Sequence, residues 1–169
     1  MKIDPYHSKL IAAIKKKVKI DLRKEDYALY LGASTGTTVS YVAEIVKGVF
    51  AVEIGQRVMR ELVFLAEERK NISPILEDAN HPEKYGDVFC DWLFQDVAQK
   101  NQVEIFLKNF KMFKPRTGIL VIKARNIDAS KKSEDVFKKC EEELKKEVKI
   151  IEQKDLSPYQ KDHKMYVVK

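Results

Sequence analysis

Tyr27-Ala-Leu-Tyr-Leu31 runs without a charge into Gly32-Ala-Ser-Thr-Gly36, and Thr37-Thr38-Val39 follows. The first five residues are an apolar run of strand length. The next five are small residues suited to a tight turn, and Val39, Val42 and Val46 then recur at helical spacing. Strand, glycine turn and helix in that order make the opening unit of an α/β layer. Ligands bind such layers beyond the carboxyl ends of the strands, where glycines admit close approach and a helix N-terminus offers N–H groups.

The same alternation extends in both directions. Upstream, Asp4-Pro5 predicts a helix start within residues 1–20, with Leu10, Ile11, Ile14 and Val18 on one stripe and Lys9 on the helix. Downstream, strands are expected at 49–54, 72–76, 88–94 and 118–122, and helices at 57–69, 101–113 and 133–147. Two last strands, 148–153 and 165–168, have no helix between them and should pair antiparallel. Strands alternating with helices predict an α/β fold, a mostly parallel sheet with helices on both faces. Neither repeat nor linker interrupts residues 1–169, so one domain is expected, with 27–169 as its strand–helix core.

The chain has 169 residues, 34% of them charged, and a formal net charge of +6. That charge is unevenly spread. Residues 1–25 carry a net +5, residues 26–99 a net −6, residues 100–130 a net +5 and residues 131–169 a net +2. An acidic middle between basic flanks suits one ligand in a pocket beside a polyanion on a surface. Cys90 and Cys140 form no CxxC and the three histidines stand far apart, so no disulfide framework or metal site is expected. No apolar run approaches the ~20 residues that span a membrane, and the first residues lack the apolar core of a signal peptide, so no secretory signal is expected.

Several residues fall where chemistry is expected. Glu53 ends the second strand, about 20 residues past the glycine turn, where an acid can hold a ribose diol. Asp78-Ala79 and Asp96-Val97-Ala98-Gln99 follow the third and fourth strands. Acids gathered at one sheet edge call for a cationic or donor-rich partner, which favours a sulfonium cofactor with an amino group, S-adenosylmethionine, over a dinucleotide. Lys123 ends the strand Gly118–Ile122. If it shares a site with Lys9, like-charge repulsion and partial burial would favour the neutral amine that a general base needs. Gly32–Gly36 also matches GxSxG, with Asp96 and His163 following in the order of a Ser34 hydrolase triad. An elbow of that kind normally follows several strands, and here only one precedes it.

Taken with Ser8-Lys9-Leu10, Arg57–Arg60, Glu68–Ile72, Ile122-Lys-Ala-Arg-Asn-Ile-Asp128 and Pro158–His163, these segments resemble the fibrillarin family over nearly the whole chain. These are RNA 2′-O-methyltransferases of box C/D ribonucleoproteins. The resemblance implies a Rossmann-like methyltransferase fold of seven strands, one antiparallel. It assigns the S-adenosylmethionine site to Gly32, Ala33, Thr37, Thr38, Glu53, Ile54, Asp78, Ala79 and Asp96–Gln99. Its Lys-Asp-Lys-His set falls on Lys9, Asp96, Lys123 and His163, with Lys123 as base. Implied partners are a box C/D guide RNA with its rRNA or tRNA target, a Nop-domain scaffold and a kink-turn-binding protein. The basic segments Lys15–Lys17 and Lys108 to Arg125 would meet the RNA. Implied locations are the cytoplasm in an archaeon or the nucleolus in a eukaryote.

Against the family's pattern, the small β-rich domain usual before the first helix is not expected here, and Gln95 and Lys100 stand beside Asp96–Gln99. Two alternatives stay open at the level of sequence: methylation of RNA without a guide, and a non-catalytic RNA- or scaffold-binding relative.

Overall fold

The structure is a computed structural model that describes residues 4–169. Seven strands form one sheet: β1 (Tyr27–Leu31), β2 (Gly48–Glu53), β3 (Ile72–Leu76), β4 (Trp92–Gln95), β5 (Thr117–Lys123), β6 (Ile150–Asp155) and β7 (His163–Val168). Their order across the sheet is β3-β2-β1-β4-β5-β7-β6. Neighbours from β3 through β5 pair in parallel, while β7 runs antiparallel to both β5 and β6. The helices are α1 (Lys9–Lys15), α2 (Thr37–Ala43), α3 (Gln56–Glu68), α4 (Gln102–Phe113), α5 (Ala124–Ile127) and α6 (Ser133–Lys145). The α/β fold read from the sequence is the fold observed.

The period-two alternation of each strand builds two cores. Ala28 and Tyr30 of β1, with Ile119 and Val121 of β5, face Leu10, Val39, Val42 and Leu62. Leu29 and Leu31, with Leu120 and Ile122, face Val103, Phe106, Phe137 and Leu144. Strands so buried on both sides must read as continuous apolar runs, which is why β1 and β5 were legible. Each of the larger side chains contributes roughly 1.5–3 kcal/mol by leaving water.

Most boundaries shift by one or two residues, as where β6 starts at Ile150 rather than 148, and three differences change which residues pack or meet. The first helix starts at Ser8, whose hydroxyl accepts the Ile11 N–H at 3.3 Å. Asp4-Pro5 forms a separate turn instead: the Asp4 carboxylate takes the Tyr6 N–H at 2.9 Å and its carbonyl the His7 N–H at 3.0 Å. The helix ends before Lys17, which has φ 66°, so Val18 packs from beyond the helix and Ile14 is left exposed. Residues 1–3 of the expected helix lie outside the described residues. The strand expected at 88–94 begins only at Trp92, because Phe89 turns out against the rings of Tyr27 and Phe50. Finally, β7 begins at His163, two residues earlier than expected, which puts His163 inside the sheet opposite Lys123.

Candidate active site

The turn after β1 is held by its neighbours. Gly32 has φ 81°, and a Cβ there would lie 2.5 Å from the Asp96 carbonyl oxygen. Only glycine combines that backbone with that approach, and the approach sets the β1 and β4 ends side by side. The N–H groups of Gly32 and Ala33 both donate to the Val52 carbonyl at 3.0 Å, and Gly36 donates to Ala33. Ser34 donates to Glu53 Oε2 at 2.7 Å. The protein itself thus engages these four N–H groups of the turn.

Glu53 is fixed from two sides, since Gly55 donates to its other oxygen at 2.8 Å. Each carboxylate oxygen keeps one lone pair for a ligand hydroxyl. Below it opens a cavity of about 510 Å³, lined by Gly32, Glu53, Ile54, Ala79, Asp96–Gln99 and Lys123, with Ser34, Val52 and Glu77. Most of the cofactor residues read from the sequence therefore meet in one place. Four do not line it. Ala33 is buried, Thr37 is exposed on the first turn of α2, and Thr38 bonds the Ser8 hydroxyl at 3.0 Å. Asp78 orders the turn behind Ala79 by accepting the Asn80 N–H at 2.9 Å. Glu77 lines the cavity in its place. Its signal was an acid just past a strand end, the same signal that pointed to Asp78.

Four elements bring the charged cluster together. Lys9 is the first residue of α1, Asp96 follows β4, Lys123 ends β5 and His163 begins β7. The Asp96 carboxylate meets Lys9 Nζ at 3.2 Å and Lys123 Nζ at 2.8 Å, one lysine on each oxygen. Lys123 Nζ also donates to the Asp96 carbonyl at 3.2 Å. All three side chains are largely buried. Beneath them, burial and the negative charge of Asp96 push the Tyr30 phenol up, so it stays protonated. His163 Nδ1 lies 2.6 Å from the Lys161 carbonyl. A carbonyl only accepts, so Nδ1 carries the proton and the neutral ring keeps a lone pair on Nε2. Burial, and then the nearby Lys9 charge, holds the imidazole below its ordinary range.

This arrangement excludes the hydrolase triad. Asp96 is clasped by two lysines and His163 Nδ1 is turned to Lys161, so neither activates Ser34. The basic flanks are also less uniform than their charge. Lys16 is tied to the Ser157 carbonyl, and Lys108 and Lys111 pair with Glu104 and Glu147 on the far half of α4. Arg125 stays beside the cluster, half-exposed and 3.4 Å from Asp162. A larger cavity of about 620 Å³ lies between α4, α5 and α6, and holds none of the residues read as catalytic or cofactor-binding.

Residues 2–169 match the family Fibrillarin. A fibrillarin-like rRNA/tRNA 2′-O-methyltransferase of Methanocaldococcus jannaschii is 46% identical, over 97% of this chain and 75% of that protein. The crystal structure of a fibrillarin/Nop5p complex matches with TM-score 0.91 and 38% identity, over 97% of this chain and 81% of that one. Aeropyrum pernix fibrillarin, crystallised with natively bound S-adenosyl-L-methionine, matches with TM-score 0.87 and 35% identity, over 98% and 76%. Matched by the family over residues 2–169 and 46% identical to one of its members, the chain belongs to the fibrillarin family.

Proposed function

We propose that this chain transfers the methyl group of S-adenosylmethionine to a ribose 2′-hydroxyl of rRNA or tRNA. The observation that carries the reading is Asp96, held between Lys9 and Lys123 at the wall of the Glu53 cavity. The relatives bear this activity in their name, and one was crystallised with the cofactor.

The cofactor supplies an electrophilic methyl group on a sulfonium sulfur. Glu53 would accept hydrogen bonds from the hydroxyls of its ribose, while Ile54, Ala79 and Val97 would give apolar walls to its flat base. The carboxylate of Asp96 and the Gln99 amide suit its cationic, amino-bearing end. Lys123 takes the proton of the 2′-hydroxyl. Asp96 fixes both amines at this spot, one on each of its oxygens. Lys9 then steadies the oxygen as negative charge grows on it. His163, opposite Lys123 in the sheet, presents Nε2 to the hydroxyl or the lysine beside it. Holding the reactants in line contributes roughly 7–11 kcal/mol of the barrier reduction.

Residues 1–169 act in this reading as one methyltransferase domain. A Nop-domain protein is its scaffold, in keeping with the fibrillarin/Nop5p complex. A box C/D guide RNA and a kink-turn-binding protein complete the particle and choose the target. Arg125 and the exposed Lys15 and Lys17 supply phosphate contacts. Among the described residues no helix is long and apolar enough to cross a membrane, and a cytoplasmic location in an archaeal cell belongs to the same reading. The test is reconstitution with guide RNA and scaffold proteins, followed by mapping of 2′-O-methylation. Transfer at the guided nucleotide is expected. No transfer by the assembled particle, or no cofactor binding by calorimetry at millimolar concentration, overturns the reading.

A further inference from the structure

The strand that carries Lys123 outruns its neighbour. The parallel register of β4 and β5 ends at Gln95 opposite Leu120, but β5 continues to Lys123. Beyond Gln95 the chain turns toward β1, where Asp96 N–H donates to the Leu31 carbonyl at 2.9 Å. The peptide groups at the β5 tip are thus left without a strand on that side. Buried peptide groups without partners are costly, and an unpaired strand tip frays.

Gln102 fills the gap. Its side chain is fully buried. Its Oε1 accepts the Lys123 backbone N–H at 2.9 Å, and its Nε2 donates to the Lys123 carbonyl at 3.3 Å. The primary amide imitates the peptide of a missing strand, giving one acceptor and one donor to a single residue. The backbone carbonyl of Gln102 in turn accepts from the buried Gln95 Nε2 at 2.7 Å. Gln95 immediately precedes Asp96. One residue at the start of α4 therefore ties the backbone of Lys123 to the strand end that delivers Asp96.

We propose that Gln102 is a positioning residue for methyl transfer: its amide clamp on the Lys123 backbone fixes the lysine amine against Asp96 and the ribose hydroxyl. Gln102 does not line the Glu53 cavity and acts through Lys123. The inference rests on Lys123 being the base. The clamp needs a donor and an acceptor at the reach of a glutamine. Methionine has the length and neither function, whereas glutamate keeps only the acceptor for the Lys123 N–H.

The experiment compares Gln102→Met and Gln102→Glu with the unaltered chain in the reconstituted guide particle, under saturating RNA and cofactor. Calorimetry with S-adenosylmethionine gives the folded, binding-competent fraction of each. Expected is a kcat at least tenfold lower for Gln102→Met per competent molecule, with Gln102→Glu between it and the unaltered chain. Cofactor Kd and RNA KM should stay within about threefold. A merely structural role would lower the competent fraction and leave kcat per competent molecule alone, and that result overturns the proposal. If Gln102→Met does not fold, Gln102→Glu decides: lowered kcat with unchanged binding supports the clamp, and full kcat overturns it. An active particle whose Lys123→Ala variant is equally active removes the base, and the clamp falls with it. Inactivity of the unaltered particle speaks against the methyl-transfer reading itself.

Discussion

Two aspartates stand at opposite ends of the same central strands and are held in different ways. Asp26, just before β1, is buried at the amino edge of the sheet. Arg116 grips it with two hydrogen bonds of 3.1 and 2.9 Å, Trp92 Nε1 donates at 3.0 Å and the Arg23 N–H at 2.8 Å. Asp96, at the carboxyl edge, is held by two lysines and faces a cavity. A guanidinium is a planar fork that does not release its proton, while an ammonium is a point charge that can. The first site is a closed clasp that joins β1, β4 and β5. The second keeps a carboxylate, two amines and an opening for substrate in one place. Similar residue types therefore make a structural joint at one end and a reactive centre at the other.

The largest expected effect separates the two ends by what each variant leaves intact. Lys123→Ala should lower methyl transfer by about 10²–10⁴-fold, the usual contribution of a general base. Calorimetry should find its cofactor affinity within about threefold of the unaltered chain. Asp26→Asn should do the reverse. Losing one partner of a largely buried ion pair costs about 3 kcal/mol, seen as a lower midpoint in denaturant, while kcat per folded molecule is unchanged. Full stability in Asp26→Asn would dissolve the distinction between joint and centre.

Acid should unfasten the two ends in different pH windows, and this is the smallest effect. Burial holds His163 below the ordinary 6.5 of an imidazole, so the folded state binds fewer protons than the unfolded chain there. Its contribution is present above about pH 6.5 and is lost as pH falls through the lower folded value. Although burial opposes it, the Arg116 guanidinium and the Arg23 N–H hold Asp26 below 3.8, so its contribution disappears only under stronger acid. Denaturant titrations from pH 7.5 to 5 should show a loss of stability that His163→Gln removes and Asp26→Asn does not. An unchanged slope in His163→Gln would show that the imidazole is not the group responsible.

How far the sequence carried depended on where each residue's partner sits. The run Tyr27–Thr38 was legible because strand, turn and helix are all local, and both faces of β1 are buried. The start of α1 misled because Asp4-Pro5 has sound capping chemistry that is used in a turn, while Ser8 caps the helix four residues later. β4 was drawn too long because apolar Phe89 reads as strand, yet it packs on two other rings at the sheet edge. In the site, Glu53 could be found by its distance from Gly32. That Lys9 and Lys123 both reach Asp96 came from the family resemblance, because helix-to-strand geometry is invisible in spacing. Gln102 carries no local signal at all. Its partner is a backbone left bare by the unequal lengths of β4 and β5.

The contrast between a fork that keeps its proton and an amine that gives one up can be put to a single substitution. Lys123→Arg retains the positive charge beside Asp96 and a group able to pair with it, but guanidinium is not deprotonated in proteins. Single-turnover methyl transfer by this variant in the guide particle, with cofactor binding measured alongside, is the direct test. The account predicts normal cofactor binding and transfer as slow as in Lys123→Ala. Transfer near the rate of the unaltered chain would mean that Lys123 is needed for its charge alone, and that the ribose proton leaves by another route.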